Sequence, residues 1–156
     1  GGVRPGKRGR GALGKVLILV AVEDKGKAGF GRIRIAVISD ASAMSLRRAI
    51  ESMVETGSTI RTDEWKGYPS IVRRGYQHVA VKGHALVPGE DPTPLVHRIA
   101  SLLKRWLLGT HQGGVSHEHI TSYLEEFVFR FNRRTSRSRG KLFYRLVQNM
   151  VQSAQR

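Results

Sequence analysis

The sequence contains no cysteine, which excludes disulfide bonds, zinc ribbons and thiol catalysis. Acidic residues are scarce: 12 Asp and Glu stand against 27 Lys and Arg, so the formal net charge is +15. A surplus of this size disfavours self-association and attracts polyanions, above all nucleic acid. The longest apolar run, Val16–Val22, is too short to span a bilayer, and the Gly1–Gly2 start carries no signal-peptide pattern.

The chain has 156 residues, of which 40% are hydrophobic, as expected for one globular domain. Periodicity predicts elements in the order β-β-α-β-(α)-β-α-α-α, the bracketed helix being a short one within residues 65–74. The predicted strands are Lys15–Val22, Arg32–Ile38, Ser58–Thr62 and His78–Val81. The longer predicted helices run from the cap at Ser39–Ser42 to about Glu55 and over Thr93–Gly109, Ser116–Phe131 and Leu142–Gln152. This order predicts an α/β fold with one mixed sheet and helices on both faces.

Residues 1–14 form a glycine-rich basic segment that includes Lys7, Arg8 and Arg10, and we interpret it as a flexible arm. The stretch Gly9–Lys15 matches the spacing of a phosphate-binding loop. That interpretation is rejected because Val16 stands where a magnesium-binding Ser or Thr is needed, and because the loop leads into a strand rather than a helix.

Asp63 directly follows the predicted third strand, and in α/β sheets active sites collect at such strand ends. Glu64 is the alternative ligand, but Asp63 lies nearer the strand end. The competing structural role is an Asp that caps the following turn.

His97 lies in the first turn of the predicted 93–109 helix, on the face opposite its apolar stripe. The positive end of the helix dipole disfavours an imidazolium there, so a neutral, metal-binding imidazole is one interpretation. A solvent-facing histidine is the other. Lys104 follows two turns later on the same face, where it would contact a phosphate or simply be solvated.

Five arginines without an intervening acid lie close together near the C-terminus. Their mutual repulsion favours contact with a polyanion over a purely solvated surface. They are Arg130, Arg133, Arg134, Arg137 and Arg139.

Three stretches, Thr62–Tyr68, His97–His111 and Tyr123–Arg134, together resemble the catalytic domain of bacterial insertion-sequence transposases of the DDE type. The resemblance implies a ribonuclease H-like fold, with a catalytic core over residues 15–112 and a basic helical extension over 113–156. It also implies DNA strand cleavage and strand transfer at element ends with two divalent metal ions, Mg²⁺ or Mn²⁺.

Carried over by position, Asp63 and His97 would be the second and third metal ligands, His97 replacing the more common Glu. Magnesium prefers oxygen ligands, whereas imidazole suits manganese better. The resemblance places Lys104 against the DNA backbone. We expect Arg105, the arginine cluster and the basic arm to contact DNA as well. It implies double-stranded DNA as partner, a homo-oligomer assembled on DNA, no membrane and no small-molecule substrate, and a bacterial, nucleoid-associated location in the cytoplasm.

The first catalytic Asp of the family ends a strand that precedes the Gly-rich arm. Asp24 and Asp40 are the only Asp residues before Asp63, and each follows a later strand. We therefore expect the first strand and its Asp to be absent, and the chain alone to be inactive. Two rivals stay open: a non-catalytic basic domain that binds nucleic acid, and a nuclease of the same fold acting on RNA–DNA hybrids.

Overall fold

A computed structural model describes residues 16–63, 74–81, 91–111 and 118–138, together with positions 140, 141, 144, 145, 147, 148 and 151. Its strands are β1 (Leu17–Asp24), β2 (Phe30–Ile38), β3 (Thr59–Thr62) and β4 (Gln77–Ala80). Its helices are α1 (Ala43–Met53), α2 (Pro94–His111) and α3 (Ile120–Asn132). The described positions between 140 and 151 are also helical. The predicted α/β class is confirmed, and the described elements follow the predicted order. The bracketed short helix falls on residues 65–74, of which all but the last lie outside the described residues.

β1 and β2 form the predicted antiparallel hairpin, with Leu17 opposite Ile38 at one end and Val22 opposite Ile33 near the turn. A single 3₁₀ turn connects the strands. Gly29, at its end, has φ +76°, a left-handed conformation that strongly favours glycine. The turn is therefore set by local sequence.

α1 begins where the polar cap predicts. The Ser42 side chain accepts a hydrogen bond from the backbone N–H of Ser45 at 3.2 Å, which satisfies one of the free donors at the helix start. Leu46, Ala49 and Ile50, three of the residues spaced for an apolar stripe, are buried. This helix packs against both strands of the hairpin.

β1 is covered on both faces, as its continuous apolar run predicts. Ile18, Val20 and Val22 pack against the main core between the hairpin, α2 and α3, whereas Leu17 and Leu19 pack against α1. All of these side chains are nevertheless only half-buried. The exposure has a structural reason: within the described residues, β1 pairs with β2 along one edge and with no strand along the other.

The described strands form two separate pairs rather than the single mixed sheet that the sequence predicts. β3 pairs with β4 in parallel, Thr59 opposite Gln77 and Thr62 opposite Ala80. Leu19 of β1 and Ile60 of β3 nevertheless pack against the same small cluster, which is centred on Ile50 and Tyr76. The two pairs thus share a side-chain cluster to which α1 contributes Ile50, and they are separate sheets within the described residues.

The main core lies between β2, α2 and α3. Its most buried members are the residues that helical spacing predicts to face inward, together with Ile33, which is 0% exposed: Ile99, Leu103, Ile120, Leu124 and Phe127. Trp106 packs against this cluster with its ring 5.6 Å from that of Phe127. The buried face of α2 fixes which of its residues remain exposed.

Candidate active site and basic surface

Asp63 immediately follows β3, and its neighbour Thr62 anchors that end of the strand. Thr62 is 8% exposed. Its hydroxyl donates to the backbone carbonyl of Asp63 at 2.7 Å and lies 2.8 Å from Nε2 of His78 on β4. These contacts hold the backbone of Asp63 while its own side chain is exposed. The position matches the predicted carboxylate at a strand end.

His97 lies in the first turn of α2 and is paired with a residue that the sequence analysis did not single out. Its Nδ1 is 2.6 Å from Oδ2 of Asp91, and its side chain is 62% exposed. Oδ1 of Asp91 accepts a hydrogen bond from the backbone N–H of Thr93 at 2.8 Å. Asp91 therefore joins the segment before α2 to the imidazole on its first turn.

The ionised form of Asp91 is the stable one in this setting. Partial burial acts to raise the pKa of Asp91, but the hydrogen bonds from Thr93 and His97, together with the charge of the imidazole, outweigh it and hold that pKa below its ordinary value. An ionised carboxylate only accepts hydrogen bonds. The short distance between the two side chains therefore fits a hydrogen bond that Nδ1 of His97 donates to Oδ2 of Asp91.

A sequence signal for this pair exists. Asp91 lies two residues before Thr93, the last residue ahead of α2, and Asp side chains in such positions bond the backbone two residues on. The histidine six residues later comes within reach only because the helix starts between them. Periodicity along one element does not reveal such a contact.

An open pocket of about 420 Å³ lies beside this pair. Its lining combines one carboxylate with two guanidinium groups and a hydroxyl: Asp91, Pro94, His97, Arg98, Ser101, Leu102 and Arg105. The hydroxyl of Ser101 donates to the carbonyl of His97 at 2.9 Å. Lys104 is exposed but does not line this pocket, whereas Arg105 does. The pocket's cationic side chains suit an anionic ligand.

The two earlier aspartates have local roles. Oδ1 of Asp24 accepts from the N–H of Gly26 in the hairpin turn, and Oδ1 of Asp40 accepts from the N–H of Ser42 ahead of α1, each at 2.8 Å. The hydrogen bonds from Ser42 and Ser45 lower the pKa of Asp40. Both carboxylates are explained by turn geometry.

Three of the clustered arginines make contacts within the chain. Arg130 donates to Oε1 of Glu126 from Nε at 2.8 Å and lies 2.7 Å from it through Nη2. The guanidinium of Arg133 lies 3.7 Å from the centre of the Phe129 ring. Arg134 donates to the carbonyl of Phe30 at 2.6 Å, to that of Gly31 at 3.3 Å and to that of Phe131 at 3.0 Å. Counting charges in the sequence does not distinguish arginines that make contacts within the protein from arginines that face solvent.

A second open pocket, of about 410 Å³, lies where α3 meets the C-terminal helical positions. It is lined by three cations, a phenol and an amide: Arg133, Lys141, Tyr144, Arg145 and Gln148. Lys141 and Arg145, four residues apart, were not among the predicted DNA contacts. The sequence feature that points to these two residues as possible DNA contacts is the absence of any Asp or Glu after Glu126. Arg137 is exposed nearby in sequence.

Several predicted contacts lie outside the described residues: Lys7, Arg8, Arg10, Glu64 and Arg139. Among the residues that are described, no three His, Asp or Glu side chains cluster in a way that would hold a metal ion. Asp63 carries oxygen donors and His97 a nitrogen donor, both of kinds that bind divalent metal ions. Asp63 is not among the residues that line the pocket beside His97.

Comparison with protein families decides the class of the molecule. The family described as the ISXO2-like transposase domain matches residues 1–132, which is most of the chain. The chain belongs to this transposase family. A comparison with curated proteins finds no match.

The range that matches the transposase family includes both Asp63 and His97 and ends at Asn132. Lys141 and Arg145 of the second pocket lie beyond it. No helix in the described parts of the transposase domain has the length and apolar character needed to cross a bilayer.

Proposed function

We propose that this chain is the catalytic domain of an insertion-sequence transposase that cuts and joins DNA with divalent metal ions, and that Asp63 and His97 are two of its metal ligands. The observation that carries the proposal is the pocket at the start of α2, where His97 lies beside Asp91 and two arginines. The family match supports the general function.

Each side chain has a role that its chemistry suits. The Asp63 carboxylate and the free ring nitrogen of His97 would hold the metal, and Arg98 and Arg105 would bind phosphate oxygens beside it. When bound, a divalent metal pair activates the attacking hydroxyl and stabilises the leaving oxygen. The imidazole nitrogen favours manganese over magnesium in vitro, although magnesium held by carboxylates and substrate phosphate remains the ion proposed for the cell.

The proposal includes a ribonuclease H-like sheet whose first strand, which would carry the first catalytic Asp, is not among the described strands. Support comes from the two separate strand pairs: β1 and β3 each have one edge without a described partner, yet Leu19 and Ile60 share a cluster. A strand inserted between them would make one continuous mixed sheet. We further propose that the chain alone is inactive for this reason.

A strand-transfer assay tests activity. Linear transposon ends, a plasmid target and Mn²⁺ are incubated with the chain, and joined products are counted. We expect no joining by the chain alone. Robust joining would contradict the proposed need for a further Asp.

The second candidate is a basic domain that binds nucleic acid without catalysis. It is favoured by the second pocket, which is lined by three cationic side chains. Calorimetry with Mn²⁺ separates the two. The metal hypothesis predicts that Asp63→Ala weakens binding and that Asp24→Ala, which removes a turn aspartate, does not. Equal metal binding by all three proteins would favour the non-catalytic domain.

A further inference from the structure

We infer that Asp91 is a positioning residue that fixes the tautomer of His97, so that Nε2 is the nitrogen offered to a metal ion. The inference rests on the proposed function in taking His97 as a ligand. It adds a residue and an atom-level role that neither the family motifs nor the helix spacing supplies.

The geometry determines which nitrogen carries the proton. Nδ1 of His97 and Oδ2 of Asp91 are 2.6 Å apart, a short hydrogen bond of the charge-assisted kind. Since the ionised carboxylate has no proton to donate, Nδ1 must be the donor. A neutral imidazole with its proton on Nδ1 keeps its lone pair on Nε2.

Asp91 is itself held in place. Its other oxygen, Oδ1, accepts the N–H of Thr93 at 2.8 Å, so the two carboxylate oxygens have different partners. The side chain of Asp91 is half as exposed as that of His97, 33% against 62%. The imidazole of His97 therefore contacts the partly buried carboxylate of Asp91, and His97 also lines the pocket.

This arrangement has a recognised physical advantage. Histidine ligands commonly donate their second ring N–H to a carboxylate, which fixes the ring orientation and increases the basicity of the ligating nitrogen. A free histidine has no such constraint and must lose tautomer and rotamer freedom on binding. His97 is already ordered before the metal arrives, which lowers that cost.

The chain offers a matched control in Asp40. Its Oδ1 accepts an N–H two residues ahead, at 2.8 Å, just before α1, as Oδ1 of Asp91 does before α2. Asp40 has no histidine partner among its described contacts. Replacing either Asp by Ala removes the same backbone contact, but only Asp91→Ala removes the contact with an imidazole.

Long-range ¹H–¹⁵N NMR of the metal-free chain, at a pH where histidines are neutral, reads the tautomer directly, and His97→Gln identifies the signal. We expect the Nδ1–H tautomer in the wild type, a shift towards Nε2–H in Asp91→Ala, and no shift in Asp40→Ala. An Nε2–H tautomer in the wild type, or an Asp91→Ala variant that loses stability with the tautomer unchanged, overturns the inference.

A Mn²⁺ titration of the same proteins then tests the link to the proposed function. Loss of an outer-shell partner typically costs about 10- to 100-fold in metal affinity, so we expect a weakening of that size in Asp91→Ala and none in Asp40→Ala. Equal affinity in both variants overturns the role in metal binding. If the wild type shows the Nδ1–H tautomer yet binds no Mn²⁺, the proposed metal site fails while the positioning of His97 by Asp91 stands.

Discussion

Asn132 and Ile33, 99 residues apart in sequence, exchange two hydrogen bonds. Oδ1 of Asn132 accepts the N–H of Ile33 at 2.7 Å, and Nδ2 donates to its carbonyl at 2.9 Å. One amide side chain thus copies both bonds that a neighbouring strand would make with this residue. It occupies the outer edge of β2, which is the kind of edge that otherwise invites pairing with other chains.

Asn132→Ala is expected to destabilise the fold. It leaves two backbone polar groups of a buried residue without these partners, and each such loss costs about 1–3 kcal/mol. Urea unfolding measures the change. Gln148→Ala, at an exposed amide, is the control and should stay within about 0.5 kcal/mol of the wild type. Equal stability of the two variants would show that water replaces Asn132 without cost.

Arg134 and Arg137 are predicted to differ in function although both lie in the same basic string. Arg134 is tied to carbonyls at the start of β2, so Arg134→Ala should lower the unfolding midpoint. Arg137 is exposed, so Arg137→Ala should leave stability unchanged and weaken DNA binding.

The salt dependence of DNA binding measures this difference. If six to eight phosphates are neutralised, log K should fall with log salt at a slope of about −5 to −7, and Arg137→Ala should reduce the slope by about 1. A flat response in the wild type would contradict a phosphate-binding surface.

The arginines near the C-terminus show the limit of prediction from sequence. Spacing predicted the buried faces of α1, α2 and α3 because helix periodicity is a local property. It did not predict that Arg133 lies on Phe129 or that Arg134 reaches β2, because these contacts depend on how the end of α3 is placed. The separate strand pairs were missed for the same reason, since pairing joins residues distant in sequence.

In the candidate site, too, features of a single element were predictable and contacts between elements were not. Asp63 and His97 were predicted as ligands because a strand end and a first helical turn are recognisable in sequence, and because both lie in stretches that resemble the family. Asp91 was missed because its partner lies on the other side of a helix start.

His78 is predicted to make the fold less stable in mild acid. Burial lowers the pKa of His78 below 6.5. Between the folded and the unfolded pKa, this imidazole is therefore protonated in the unfolded chain and neutral in the folded chain. Stability should therefore fall as pH drops through about 6.5 and level off below the folded pKa. Denaturant unfolding between about pH 5 and 8 tests this. His78→Gln should flatten the profile, whereas His119→Gln, at an exposed site, should not; identical profiles would exclude His78 as the cause.

The open edge of β1 should be visible in hydrogen exchange. Because Ile33 directs its N–H and carbonyl to Asn132, the opposite residue Val22 belongs to a non-hydrogen-bonded pair, and the pairs alternate along the strand. The amides of Ile18 and Val20 therefore point to the edge of β1 that has no partner among the described strands, and those of Leu19 and Ala21 point to β2. We expect faster exchange for the first two. Equal protection of all four would mean that another segment covers this edge.

The most direct test of the proposed active site is whether Asp63 and His97 bind the same cation. Substoichiometric Mn²⁺ broadens NMR signals of nearby groups, so the amide signals of both residues should broaden together, and both effects should vanish in Asp63→Ala but persist in Asp24→Ala. Broadening at only one residue, or at His97 in the absence of the Asp63 carboxylate, would contradict a shared metal site.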